Sequence, residues 1–227
     1  ATAIDWDKKG KLTIHKYEVD SAFSSSTRDN GVSTVTDGKP LNGVTFTLYK
    51  VKDDVWLKDY YQGTSTGTGA SMTMPSWSDY VDRDGNKLAS ATLPTGIPVT
   101  TAVDGTAVAD NLALGLYLVV ETKKPDAVKQ TTEPFLVSIP MTSSVDTKSW
   151  LYDVTVNPKN VTKYGAAILK KVGYTGSTQD ATTMNGYTFK LYKWDSTKWN
   201  EITKKPKNGQ DNMGDFIGTG GILTTDI

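Results

Sequence analysis

Three stretches of this chain put a reactive side chain where strand geometry could bury it. Lys16 closes the run Leu12-Thr13-Ile14-His15-Lys16, in which Leu12, Ile14 and Lys16 share one strand face. Lysine is almost never buried unpaired. A buried lysine gives up its proton more easily and becomes an amine nucleophile. A lysine that snorkels its amine out to water does no chemistry. Ile168 and Lys170 repeat the arrangement later in the chain. Glu121 ends the run Gly115-Leu-Tyr-Leu-Val-Val-Glu121, on the face of Tyr117 and Val119. Burial favours the neutral form of an acid, which can donate a proton; an exposed strand-end glutamate has no such role. In Val154-Thr-Val-Asn-Pro-Lys159-Asn160, the residues Val154, Val156, Pro158 and Asn160 fall on one face. Thr155, Asn157 and Lys159 fall on the other. If the valines point inward, Asn160 lies inside and Lys159 faces solvent.

Other chemistries are excluded by what the chain lacks. It has no cysteine and one histidine, so thiolate catalysis, disulfides and Cys/His zinc sites are ruled out. A serine-histidine pair could rest only on His15, which reads as an exposed strand residue opposite Leu12 and Ile14. The formal charge is +0 at pH 7, without the basic excess that nucleic acid demands. The longest apolar run, Leu112 to Val120, is far short of the roughly 18 residues of a membrane span. No metal set and no cofactor motif stands out. The start of the chain reads as mature sequence, without a targeting pattern.

The elements that would position these groups are strands. Residues 11–18, 44–50, 116–121, 135–139 and 150–156 alternate or run apolar between turn residues. Asp53-Asp54 reads as a hairpin turn before Val55-Trp56. Residues 27–39 and 63–69 read as polar loops, and residues 70–100 as irregular chain with turns at Asp84-Gly85 and Thr95-Gly96. No segment of 11 or more residues carries a 3.6-residue period, so the fold class reads as all-β.

The chain also repeats itself. Residues 41–50 read LNGVTFTLYK and residues 184–193 read MNGYTFKLYK, with seven of ten positions identical. A tryptophan stands six residues beyond each closing lysine, Trp56 and Trp199. One structural unit is therefore used at least twice. The domain reading is a first domain over residues 1–161 with a long loop insertion, then the start of a second, similar domain over 162–227. Strands are expected there at 166–171, 187–193 and 199–202. The second stretch is too short to bury a full sandwich core, so the chain is expected to be part of a longer protein.

The Lys16 strand, LNGVTFTLYK, the run GTAVADNLALGLYLVVETKKP and the motif VNPKN together resemble the shaft (backbone) pilins of Gram-positive sortase-assembled pili. Those proteins are built from immunoglobulin-like β-sandwich domains of the collagen-adhesin B type. The third of these runs is similar to the family's E-box, and VNPKN is similar to its pilin motif. Relatives usually carry an aromatic residue before the proline, where this chain has Asn157. The resemblance covers most of residues 10–162. It implies an intramolecular isopeptide bond between Lys16 and Asn160, assisted by Glu121. It also implies that Lys159 is the amine a sortase joins to the next subunit. Lys170 is the equivalent candidate lysine of the second domain, whose own E-box and last strand would lie beyond Ile227.

The function implied is structural: a subunit of a covalent pilus anchored to the cell wall, outside the cell, and not an enzyme. Its partners would be neighbouring subunits, a pilus sortase, and host matrix or glycans. The alternative within the same fold is a tip or basal pilin, or an unpolymerised adhesin. A glycan-binding module built on Trp6, Tyr60, Tyr61, Trp77 and Trp150 is the rival from another class, although core and rim packing accounts for these aromatics. Two motifs are lookalikes. Leu93-Pro-Thr-Gly96 is one residue short of a sorting signal. Asp82-Arg-Asp84-Gly-Asn86 spaces carboxylates as calcium loops do but lacks the distal glutamate.

Overall fold

Thr, Val and Tyr pack well on pleated surfaces, and the chain places them in short strands throughout. The computed structural model describes residues 3–19, 39–62, 72–143, 149–162, 166–183, 187–202, 205–207, 210–214 and 222–226. Two compact units divide the chain, Ala1–Thr162 and Lys163–Ile227.

The first unit contains β1 (Gly10–His15), β2 (Tyr17–Val19), β3 (Lys39–Pro40), β4 (Thr45–Lys52), α1 (Asp54–Gln62), β5 (Ile97–Thr100) and β6 (Thr106–Leu112). Then come β7 (Gly115–Lys123), β8 (Val128–Gln130), β9 (Phe135–Ile139), β10 (Met141–Thr142), β11 (Trp150–Leu151), β12 (Asp153–Val156) and β13 (Lys159–Thr162). One sheet runs β5-β4-β7-β9. A second layer has two ladders, β12-β1-β6 and β3-β2-β13-β8. They are joined because β1 passes into β2 with only Lys16 between. Leu12, Ile14, Val154, Val156, Ala107 and Ala109 from the second layer share one buried core with Phe46, Leu48, Tyr117, Val119, Val137 and Ile139 from the first. The all-β sandwich follows from that shared core. β1 and β2 run parallel to β12 and β13, so the first and last strands of the unit lie side by side.

β7 is buried on both faces, which explains its unbroken apolar run. Tyr117 and Val119 face the main core. Leu118 and Val120 pack with Val81 under the segment between α1 and β5, against Trp77, Tyr80 and Leu93. That segment carries a 3-10 turn, Trp77–Asp79, capped by Ser76.

The helix corrects the sequence reading. Asp53-Asp54 does not turn a hairpin: the Asp53 carboxylate accepts the Trp56 N–H at 2.8 Å and opens α1. Leu57 is fully buried, and the Tyr61 hydroxyl meets Ser138 Oγ of β9 at 2.8 Å. Tyr61 also sets its ring edge-on to Trp150. Tertiary packing of one face holds a nine-residue helix that would be marginal alone.

In the second unit, β14 (Ala166–Lys170), β15 (Val172–Thr175), β16 (Thr178–Thr183), β17 (Leu191–Trp194) and β18 (Trp199–Ile202) precede β19 (Lys205–Lys207), β20 (Gln210–Gly214) and β21 (Ile222–Asp226). They pair as β14-β21, β15-β16, β17-β18 and β19-β20. The strand expected over 187–193 begins only at Leu191. In β17-β18 the repeat's tryptophan, Trp199, stands opposite Trp194 in a tight hairpin. Its counterpart Trp56 lies in a helix. The loop expected over 63–69, and all but the last residue of that over 27–39, fall outside the described residues.

Candidate functional site

Lys16 sits at the step between β1 and β2, where both of its backbone groups are anchored. Its N–H donates to the Gly105 carbonyl at 2.8 Å, and its carbonyl accepts the Leu41 N–H at 2.9 Å. Gly105 has φ +76°, and a Cβ there would come within 2.5 Å of the Lys16 carbonyl oxygen, so the approach requires glycine. Asn160 lies on β13 in parallel register with Glu18 of β2. Glu121 lies on β7 opposite Phe46 of β4. The β1–β2 step and β13 of one layer and β7 of the other thus aim three polar side chains into one point of the core.

The Lys16 amine donates to Asn160 Oδ1 at 2.7 Å. Asn160 Nδ2 donates to Glu121 Oε1 at 2.6 Å. Lys16 Nζ lies 3.3 Å from Glu121 Oε2. That distance suits an ion pair, but Oε2 accepts no aligned hydrogen bond among the described residues. The Lys16 and Glu121 side chains are 0% and 2% exposed, and Asn160 is 0% exposed. The Phe46 ring lies 5.4 Å from the amine, within cation–π range.

A fourth group fixes the asparagine amide. The backbone N–H of Thr132 donates to Asn160 Oδ1 at 2.7 Å. A backbone N–H can only donate, so the atom it meets must be the oxygen, and Nδ2 must face the carboxylate. Residue types could not have pointed to Thr132, because the working atom is main chain.

Burial pushes the Lys16 ammonium down to about 8, while the negative charge of Glu121 beside it pulls the other way. Burying an ion pair costs desolvation that its mutual attraction repays only in good geometry. Condensing amine and amide would remove the buried ammonium and leave Glu121 as a neutral acid. The arrangement is suited to that reaction.

The other predicted residues fall elsewhere. Lys159 is half-buried on β13, in register with Tyr17, and is more covered than alternation implied. Alternation does not run through the motif: Asn157, expected on the outer face, is buried. The chain leaves one ladder after Val156 and joins another at Lys159. In between, the Pro158 carbonyl accepts the Tyr17 N–H at 3.1 Å. His15, expected to be exposed, is half-buried with Nδ1 3.3 Å from Thr106 Oγ1. Lys170 pairs with Ile222 through its backbone, and its side chain lies outside the description. Among the described residues no three His, Cys, Asp or Glu gather as a metal site, and no helix is long and apolar enough to cross a membrane.

Residues 7–161 match the family model described as Gram-positive pilin subunit D1, N-terminal domain. The chain is 32% identical over 167 residues to the fimbrial subunit type 2 of Actinomyces naeslundii, covering 69% of this chain and 30% of that protein. It is 32% identical over 170 residues to the fimbrial subunit type 1 of Actinomyces viscosus, covering 70% and 27%. The full-length major pilin SpaD of Corynebacterium diphtheriae superposes with a TM-score of 0.50 at 36% identity, over 75% of this chain and 35% of that one. The chain therefore spans less than a third of the length of the curated relatives it matches.

Proposed function

The chain belongs to the Gram-positive pilin subunit family through its D1, N-terminal domain, and from that premise we propose that it is a shaft subunit of a covalently polymerised surface pilus. In this reading the first unit locks itself with a Lys16–Asn160 isopeptide bond. Lys159 is the amine that a pilus sortase joins to the neighbouring subunit, and the polymer is anchored in the cell wall. Host matrix or glycans would be its outward partners. The observation that carries the reading is the buried contact of Lys16, Asn160 and Glu121.

The chemistry follows from the geometry. A proton passes from the Lys16 ammonium to Glu121 Oε2, leaving an amine and a carboxylic acid. The amine lone pair attacks Cγ of Asn160, and the C=O π electrons move onto Oδ1. Glu121 delivers its proton to Nδ2 and takes back the one that the new C–N bond sheds, the Cγ–Nδ2 bond breaks, and ammonia leaves. The amide formed is neutral. Packing supplies the proximity that replaces an activated acyl donor, and Glu121 acts as acid and base in turn.

The first test is the intact mass under denaturing conditions. The folded chain should weigh one ammonia less than its sequence, and a full sequence mass would sink the cross-link.

The pH profile tests the role given to the acid. The ion pair and the amine-plus-acid pair carry the same number of protons, so interconverting them needs none from solvent. The pair loses its last proton near the lowered Lys16 value of about 8. For freshly translated, folding chain, the rate of ammonia loss should fall roughly tenfold per pH unit above that pH. A rate that climbs through the same range would mean that a free amine is all the reaction needs, with no proton supplied by Glu121.

A further inference from the structure

The Asp82-Arg-Asp84-Gly-Asn86 turn lacks the distal glutamate of a calcium loop, yet it is tightly built and lies beside the site. Asp82 Oδ1 accepts the N–H groups of Asp84 and Asn86, each at 2.9 Å, and Oδ2 accepts Asn86 Nδ2 at 3.0 Å. Gly85 has φ +84°, and a Cβ there would come within 2.4 Å of Val120 Cγ1. The turn is thus seated on β7 at the residue before Glu121. From it Arg83 reaches the chain between β8 and β9. Nη2 donates to the Thr131 carbonyl at 2.7 Å, Nη1 to Thr131 Oγ1 at 3.3 Å, and Nε lies 3.3 Å from Glu133 Oε1. These contacts flank Thr132 on both sides. Residues 131–134 belong to no strand, so among the described residues no ladder holds the Thr132 N–H in place.

We propose that Arg83 is a positioning residue for cross-linking, holding the Thr132 N–H where it stabilises the oxyanion that forms on Asn160 Oδ1. The proposal rests on the isopeptide reading. In the resting arrangement Oδ1 accepts two hydrogen bonds, from Lys16 Nζ and from Thr132 N–H. Attack redirects the amine from Oδ1 to Cγ, and its lone pair becomes the new C–N bond. As negative charge collects on Oδ1, Thr132 N–H is the donor left facing it. A preorganised backbone N–H in a dry site is the usual form of such stabilisation. A loop segment tethered only by side chains would otherwise be free to drift, and Arg83 offers a planar fork that fixes both distance and direction.

The test compares rates of ammonia loss in freshly folded full chain, read by mass. Removing an oxyanion donor outright costs about a hundredfold or more in rate, so Thr132→Pro should slow the reaction by about that factor. Arg83→Ala leaves the N–H in place but loose, and should slow it by about tenfold. Arg83→Lys keeps the cation beside Glu133 but loses the fork on Thr131. It should be slowed less than Arg83→Ala, and it carries the comparison if the alanine variant aggregates. A second readout is independent of rate and stability. In a Lys16→Met background, which cannot react, the Thr132 amide proton should resonate far downfield and move upfield on adding Arg83→Ala, with the core methyl signals unchanged. A parent chain that never loses ammonia overturns the cross-link reading itself. A parent that does, with Arg83→Ala equally fast or with an unmoved Thr132 signal, overturns the positioning role and leaves the cross-link standing.

Discussion

A Glu121→Ala chain should fold, retain its full sequence mass, and unfold far more easily than the parent. The bond it cannot make would join residues 144 apart in sequence. In the chain-entropy picture, closing a loop of that length stabilises by about 5 kcal/mol through the unfolded state. For a domain of this size that is a fall of about 10–20 °C in Tm. Part of the loss has another source, because the variant also leaves the Lys16 amine buried without a carboxylate. Asn160→Ala separates the two, since it removes the bond but leaves the buried Lys16–Glu121 pair in place. The measurement is thermal unfolding of each variant with its intact mass beside it. If Glu121→Ala loses ammonia as completely as the parent, a different group handles the protons and the role assigned to Glu121 is wrong.

Replacing Lys159 should have the opposite pattern. Lys159→Ala should leave the ammonia loss unchanged, and should abolish the ladder of covalent polymers when the full-length protein meets its sortase. The effect is all-or-none, because one amine per subunit forms the junction. Its neighbour Asn160, tied into the core, would hold that amine on a fixed backbone. A ladder that persists in Lys159→Ala would move the nucleophile elsewhere, with Lys163 next to be tested, and would favour an unpolymerised adhesin.

The strand pattern made much of the site legible. Parity alone set Lys16 with Leu12 and Ile14, and Glu121 with Tyr117 and Val119, and these residues are buried together. It worked because alternation holds up to each of these residues, and the irregularities come just after them, at the step from β1 to β2 and at the register shift beyond Glu121. It failed at Asn157, where the chain changes ladders and alternation is reset. It failed again at α1, where Val55 and Trp56 have strand preference. The helix there is decided by an Asp53 cap, and by the burial of Leu57 and the docking of Tyr61, which no local window contains. The family match supports the pilin domain, while the Thr132 donor and its Arg83 brace stayed invisible until the three-dimensional arrangement was known. A main-chain N–H has no residue type, and Arg83 is 48 positions from the residue it grips.

The side-by-side placement of β2 and β13 has a mechanical consequence. If Lys159 is the junction to one neighbour, and the chain beyond Thr162 leads towards the other, tension enters and leaves β13 within four residues. Those residues are already extended, at about 3.3 Å each, so they have almost no slack to release. Most of the first unit then hangs beside the load path rather than within it. The hazard in such a layout is not stretching but having β13 torn sideways out of the sandwich. It is held there by β2 on one flank and β8 on the other. A covalent tie at Asn160, inside the loaded stretch, would rivet β13 in place between its neighbours. The shaft could then bear sustained pull while its first domain keeps its shape.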